Sequence, residues 1–163
     1  MPESMQDFLT GALHGKLEYV GPLVALEELS AEDAMRRPHD DLATIYEQLA
    51  HIIFWLENSL ALLRGENPPY PESASESWPS QPTPDQAATE WPTLLERFQN
   101  GLKVAEEITR SEDVDALLKA DARRTVGQEI FVIAQHNSYH FGQIVSLRRM
   151  MGLWPPPSGG ATW

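Results

Sequence analysis

The chain has 163 residues, 42% of them hydrophobic, which suits one folded domain rather than a disordered segment. It contains no cysteine, so thiolate metal sites and cysteine nucleophiles are excluded, and any bound metal must be held by His, Asp or Glu. The net charge of −12 opposes contact with a phosphate backbone, so we expect no nucleic-acid partner.

The first half of the chain shows helical periodicity and no strand pattern. A first helix is expected over residues 3–29, with a kink or a short break at Gly21–Pro22. A capping box at residues 30–33 predicts a short helical turn. Asp40 or Asp41 is then expected to cap the second long helix, which ends at Gly65.

The second half begins with six prolines between residues 65 and 84, which predict a long ordered loop folded over the helices. A third helix is expected from the cap Thr83 to about residue 110, with a kink or restart near Glu90 because Pro92 lies inside it. A short helix is predicted at 114–118 and a fourth long helix at 124–151. Four long helices of similar length favour a single all-α four-helix bundle over residues 1–163, with 155–163 as an extended C-terminal tail.

Three histidines stand out by their placement. His136 and His140 are four residues apart on the fourth helix, so their rings share one face and follow its apolar stripe. This spacing suits a metal site, but it suits two hydrogen-bonded core histidines equally well. His51 lies among apolar residues midway along the second helix, and it would meet the other two if these helices are neighbours. Three imidazoles would leave coordination positions open, which is typical of catalytic metal sites.

The same segments carry a resemblance to a known family. The run from His136 to Ile144, HNSYHFGQI, resembles the C-terminal signature of the DinB-like (DinB/YfiT) superfamily, and the run from Leu49 to Trp55 resembles its ligand-bearing second helix. The resemblance implies a four-helix bundle that holds one divalent metal through His51, His136 and His140. It also implies a homodimer, by analogy only.

Three further residues are candidates for catalytic roles beside the metal. Glu47 precedes His51 by four residues and would orient a ligand or act as a base, although a plain exposed acid is the alternative. Gln143 falls close to the histidine stripe, and Asn137 lies roughly 80° around the helix from it. Either would bond to a ligand or substrate, or serve only the helix interface.

The resemblance implies a metal-dependent enzyme, and some members of the family are thiol-dependent S-transferases. Since the chain has no cysteine, a low-molecular-weight thiol would have to act as cosubstrate beside a small-molecule substrate. The alternatives are a hydrolase that uses metal-bound water and a non-enzymatic helical binding protein. Zinc, nickel, cobalt, copper and iron all suit an all-imidazole site, with zinc and nickel as the first choices. Neither a signal peptide nor a membrane-spanning run is visible, so we expect a cytoplasmic protein.

Overall fold

The computed structural model describes residues 4–16 and 19–160. Within these ranges the chain forms α-helices, one short 3-10 helix (Ala74–Ser77) and no strand; one isolated antiparallel bridge joins Leu117 and Thr125. The helices are α1 (Met5–Leu13), α2 (Pro22–Ala25), α3 (Ala31–Met35), α4 (Ile45–Leu63), α5 (Pro84–Ser111) and α6 (Val126–Met150). The prediction of an all-α four-helix bundle is confirmed, with α1, α4, α5 and α6 as its helices.

The first helix is broken rather than kinked: the chain forms α1 and α2, and the helix predicted to continue to residue 29 ends at Ala25. Gly15 has a φ of +71°, a conformation that glycine adopts readily. A Cβ atom on Gly15 would lie 2.8 Å from the Cα of Gly21, so the backbone folds back on itself here. Pro22 then starts α2. The predicted start at residue 3 and the predicted helical residues 17 and 18 lie outside the described residues.

The start of α4 also differs from the prediction. Thr44, rather than Asp40 or Asp41, is the N-cap: its side chain accepts from the Glu47 backbone N–H, and the Glu47 carboxylate accepts from the Thr44 backbone N–H. The reciprocal pair satisfies two N–H groups at the helix start, which neither aspartate does. The helix ends before Gly65, whose φ of +82° closes the C-terminal turn as predicted.

The helix α5 continues through Pro92 without the predicted restart. Trp91, beside this proline, is buried, and its indole N–H donates to the backbone oxygen of Leu29 at 2.8 Å, which anchors this part of the helix. The short helix predicted at 114–118 is absent. The backbone oxygens of segment 114–116 instead accept hydrogen bonds from the N–H groups of Val126 and Gly127 at the start of α6.

The bundle core lies between α4, α5 and α6, with α1 packed against α5 and α6. Gly101 on α5 faces α4 so closely that a Cβ atom would lie 2.5 Å from a methyl carbon of Leu56. α4 and α6 are direct neighbours, which places His51 opposite the histidines of α6. None of the described helices combines the length and hydropathy that crossing a bilayer requires. The fully buried apolar side chains of the core include Ile45, Leu49, Ile52, Ile53, Phe98, Leu102, Ile130, Phe141 and Ile144.

Candidate metal centre

His51 is held on α4 by the loop that connects α4 to α5. Its Nδ1 lies 3.0 Å from the backbone oxygen of Ser77. A carbonyl oxygen only accepts hydrogen bonds, so Nδ1 carries the proton and Nε2 keeps its lone pair. Trp78 stacks on the imidazole, with ring centroids 4.0 Å apart and planes 10° from parallel. The loop therefore fixes both the tautomer and the tilt of His51.

His140 is held on α6 by two glutamines. Its Nδ1 donates to Oε1 of Gln48 at 2.6 Å, and Nε2 of Gln48 donates to Oε1 of Gln143 at 2.9 Å. The second bond orients the Gln48 amide, so that its oxygen faces the imidazole. The Nε2 atom of His140 is thereby also left with its lone pair.

The structure brings the three predicted histidines together. Ring centroids lie 5.2 Å apart for His51 and His136, 4.7 Å for His51 and His140, and 4.4 Å for His136 and His140. One ring nitrogen from each lies within 4.8 Å of those of the other two, a spacing that allows one ion to contact all three. Among the described residues, no fourth His, Asp or Glu belongs to this group.

Burial favours the neutral form of all three imidazoles. Burial lowers the pKa of His51, although its bond to Ser77 works in the opposite direction. Burial and then the charge of His51 lower the pKa of His136 to about 4. Burial and then the charges of His136 and His51 lower the pKa of His140 to about 3. Metal binding requires unprotonated imidazole, so the donor set fits a divalent transition metal.

The three predicted catalytic residues differ in how they contact the histidine cluster. Glu47 accepts two hydrogen bonds from Arg37, at 2.8 and 2.9 Å, and caps α4, so its visible role is structural. Gln143 reaches the site only through Gln48. Asn137 is buried beside His136, and its Nδ2 has no hydrogen-bond acceptor among the described residues. A catalytic role for any of them stays a prediction.

Sequence reasoning missed Gln48, Ser77 and Trp78. Gln48 had a signal, because a residue three positions before His51 lies on the same face of the helix. Ser77 acts through its backbone oxygen and Trp78 through its position in an irregular loop. No periodicity indicates where such residues lie.

A cavity of about 530 Å³ adjoins His136, between α4, α6 and the segments around residues 67–70 and 120–124. His136 and Asn137 lie on its wall, together with Trp55 and Ile133. Polar residues line it as well, among them Ser59, Arg124 and Glu129. A small molecule in this cavity would therefore contact both His136 and a second polar cluster.

The family assignment follows from a comparison with protein-family models. The model described as DinB superfamily matches residues 23–144, about three quarters of the chain. The chain belongs to the DinB superfamily. The matched range contains His51, His136 and His140, and a DinB-superfamily bundle with three converging imidazoles fits a metal-binding protein. Comparisons with curated proteins and with solved structures give no match.

Proposed function

We propose that this DinB-superfamily protein is a metal-dependent enzyme in which His51, His136 and His140 hold one divalent metal ion, zinc or nickel. The observation that carries the proposal is the convergence of three neutral imidazoles, two of them with Nδ1 already hydrogen-bonded. Nearby acceptors that bond Nδ1 of a histidine are the usual support of metal-ligating imidazoles. The nitrogen lone pairs of the three imidazoles lie close together, and a cation between them would be stabilised by all three.

The open coordination positions make a catalytic role more fitting than a structural one. Structural zinc sites have four protein ligands, whereas catalytic sites have three and leave room for a substrate. The group here has three members among the described residues, and His136 faces the cavity. A bound metal would supply Lewis acidity and lower the pKa of a thiol or water at that position.

The chain's own residues would orient the site and limit water access. Ser77 and Gln48 hold the tautomers of His51 and His140, and Trp78 covers the face of His51. Since the chain supplies no thiol, S-transfer would require a low-molecular-weight thiol as cosubstrate. We therefore propose transfer of such a thiol to a small electrophilic substrate.

Metal analysis tests the first step. We expect about one equivalent of metal in the wild-type protein, and less than a tenth of that in His51→Ala and His136→Ala. His39→Ala is the matched control, because His39 is exposed and lies outside the histidine group. Equal metal content in all four proteins would refute the site.

Turnover assays test the reaction. The metal-loaded protein is incubated with an aryl halide and a low-molecular-weight thiol, and loss of free thiol is followed against His136→Ala. Metal-dependent thiol consumption supports transfer. Turnover of an ester without added thiol would favour hydrolysis, and no turnover in a metal-loaded protein would favour a binding role.

A further inference from the structure

The cavity beside His136 has apolar walls and a polar cluster that the histidines do not explain. Trp55, Leu56 and Leu62 from α4 and Val132 and Ile133 from α6 line its walls. Glu129 and Arg124 lie on the same cavity, near the start of α6. Glu129 precedes His136 by seven residues, which on a helix is about 10 Å. The cavity can thus take a molecule that reaches from Arg124 to the histidines.

Arg124 is fixed in place by a buried carboxylate. Its Nη1 donates to Oε2 of Glu129 at 2.9 Å, and Ser59 donates to Oε1 of the same carboxylate at 2.6 Å. The Glu129 side chain is 2% exposed, whereas the Arg124 side chain is 48% exposed. Within the described part of the chain, this is the one hydrogen bond of the Arg124 guanidinium, which has five N–H donors. Most of its donors therefore remain available to a ligand.

Asn137 carries a second unpaired donor, which is buried beside the same cavity. The side chain is 1% exposed and lies next to His136 on the cavity wall. Its Nδ2 has no acceptor among the described residues, which is uncommon for a buried amide. The unpaired Nδ2 of Asn137 and the remaining N–H groups of Arg124 are hydrogen-bond donors, so both suit oxygen acceptors rather than a cation.

The neighbouring charges do not compete for this role. Arg123 donates two side-chain hydrogen bonds to the oxygens of Asp121, at 2.8 and 3.0 Å, whereas Arg124 donates only one to its carboxylate partner Glu129. Arg124 also lies near Asp121, but its hydrogen bond goes to Glu129. Among the basic residues on the cavity wall, Arg124 is the one held by a single hydrogen bond.

We propose that this cavity binds a small organic carboxylate whose carboxylate group pairs with Arg124. Its apolar body lies between Trp55 and Ile133, and the end away from Arg124 lies beside His136 and Asn137. The proposal deepens the proposed function and rests on it, since it names the substrate class of the same site. A fixed guanidinium is well suited to this task, because its planar N–H pairs match the two oxygens of a carboxylate.

Binding of phenyl-substituted carboxylates tests the proposal. Phenylacetate, phenylbutyrate and phenylhexanoate are titrated calorimetrically into the full chain, both zinc-loaded and chelator-treated, beside the corresponding neutral amides. We expect saturable binding of at least one acid, about tenfold or more tighter than its amide. Arg124→Gln should weaken that binding about tenfold or more.

Arg123→Gln is the matched control, since it removes the same charge from the next residue. We expect its affinity to stay within about twofold of wild type. Equal losses in Arg123→Gln and Arg124→Gln would reduce the effect to general electrostatics and overturn the proposal. Equal binding of acid and amide, or no saturable binding of any acid, would overturn it too.

Two measurements separate misfolding and metal loss from loss of the carboxylate site. Arg124→Gln leaves Glu129 buried without its cation, so the double variant Arg124→Gln/Glu129→Gln is tested as well, with circular dichroism as the check on folding. Zinc content should equal that of wild type in both variants. If no variant or wild-type protein binds zinc, the metal proposal fails, while the titrations of chelator-treated protein still decide the carboxylate site.

Discussion

Two polar clusters lie about two turns apart on α6, and each reaches the same cavity, the first through His136 and the second through Glu129 and Arg124. At the histidine cluster, Nδ1 of His51 and of His140 is hydrogen-bonded and the Nε2 lone pairs remain. At the Glu129 cluster, the carboxylate is satisfied by Ser59 and Arg124, and the donors of the guanidinium remain. The part of the site around the three histidines, the histidine end, suits a cation. The part around Arg124 and Glu129, the Arg124 end, suits an anion. What a buried polar cluster binds is therefore not determined by burial alone. It is determined by the donors or lone pairs that have no hydrogen-bond partner inside the cluster.

The largest expected effect is the loss of protein stability when acid protonates the histidine end. The folded-state pKa values of His136 and His140, about 4 and about 3, lie below the ordinary value of 6.5. The unfolded chain therefore binds more protons, and the stability that the neutral imidazoles confer, present above pH 6.5, is lost as pH falls toward 4 and 3. For metal-free protein we expect the unfolding equilibrium constant to rise by more than about a hundredfold from this source between pH 7 and pH 4.

Urea unfolding across this pH range measures the effect. Carboxylates also titrate there, so the relevant quantity is the difference from the variant His136→Gln/His140→Gln, which should show a flatter profile. His39→Gln should keep the wild-type profile, because His39 is exposed. Parallel profiles for wild type and the double variant would contradict the neutral, buried state of the two histidines.

A somewhat smaller effect, on metal affinity, is expected when the hydrogen bond that orients His140 is removed. Gln48→Leu removes the acceptor at Nδ1 of His140, and loss of such an acceptor typically lowers metal affinity by about 10–100-fold. Competition with a chromogenic chelator measures the change. Gln48→Glu should restore most of the affinity, since its carboxylate also accepts from Nδ1.

Glu47→Gln is the matched control for Gln48, because the two residues are adjacent on α4 and only Gln48 contacts the histidine cluster. Glu47 pairs with Arg37, so its substitution should change stability slightly and leave metal affinity within about twofold. A loss of affinity in Glu47→Gln as large as in Gln48→Leu would show that the site responds to any disturbance of α4.

The sequence predicted the histidine end far better than the Arg124 end. His51, His136 and His140 occupy regular helices, where spacing determines the face on which a side chain lies. Arg124 precedes α6 in a turn, and Glu129 is an acid whose burial is unusual and follows from its pairing with Ser59 and Arg124. The same limit explains the first helix: its apolar spacing continues past Leu13, but the close approach of Gly15 and Gly21 is a tertiary contact.

The smallest expected effect concerns Ser59, which lies on α4 and supports only the Arg124 end. Ser59→Ala removes one of the two hydrogen bonds of the buried Glu129 carboxylate, which should lower the free energy of unfolding by about 1–3 kcal/mol. Urea unfolding at pH 7 measures this change, and Ser138→Ala is the control, because that hydroxyl bonds only to a carbonyl of its own helix.

Ser59→Ala also tests whether the two ends are independent. Metal affinity should stay within about twofold of wild type, since neither Ser59 nor Glu129 contacts an imidazole in the described structure. Gln48→Leu should conversely leave phenyl-carboxylate binding to metal-free protein unchanged. If each variant disturbs both ends equally, the two clusters act as one network. If each disturbs only its own end, the protein holds a cation and a carboxylate by separate means, and one substrate could contact both.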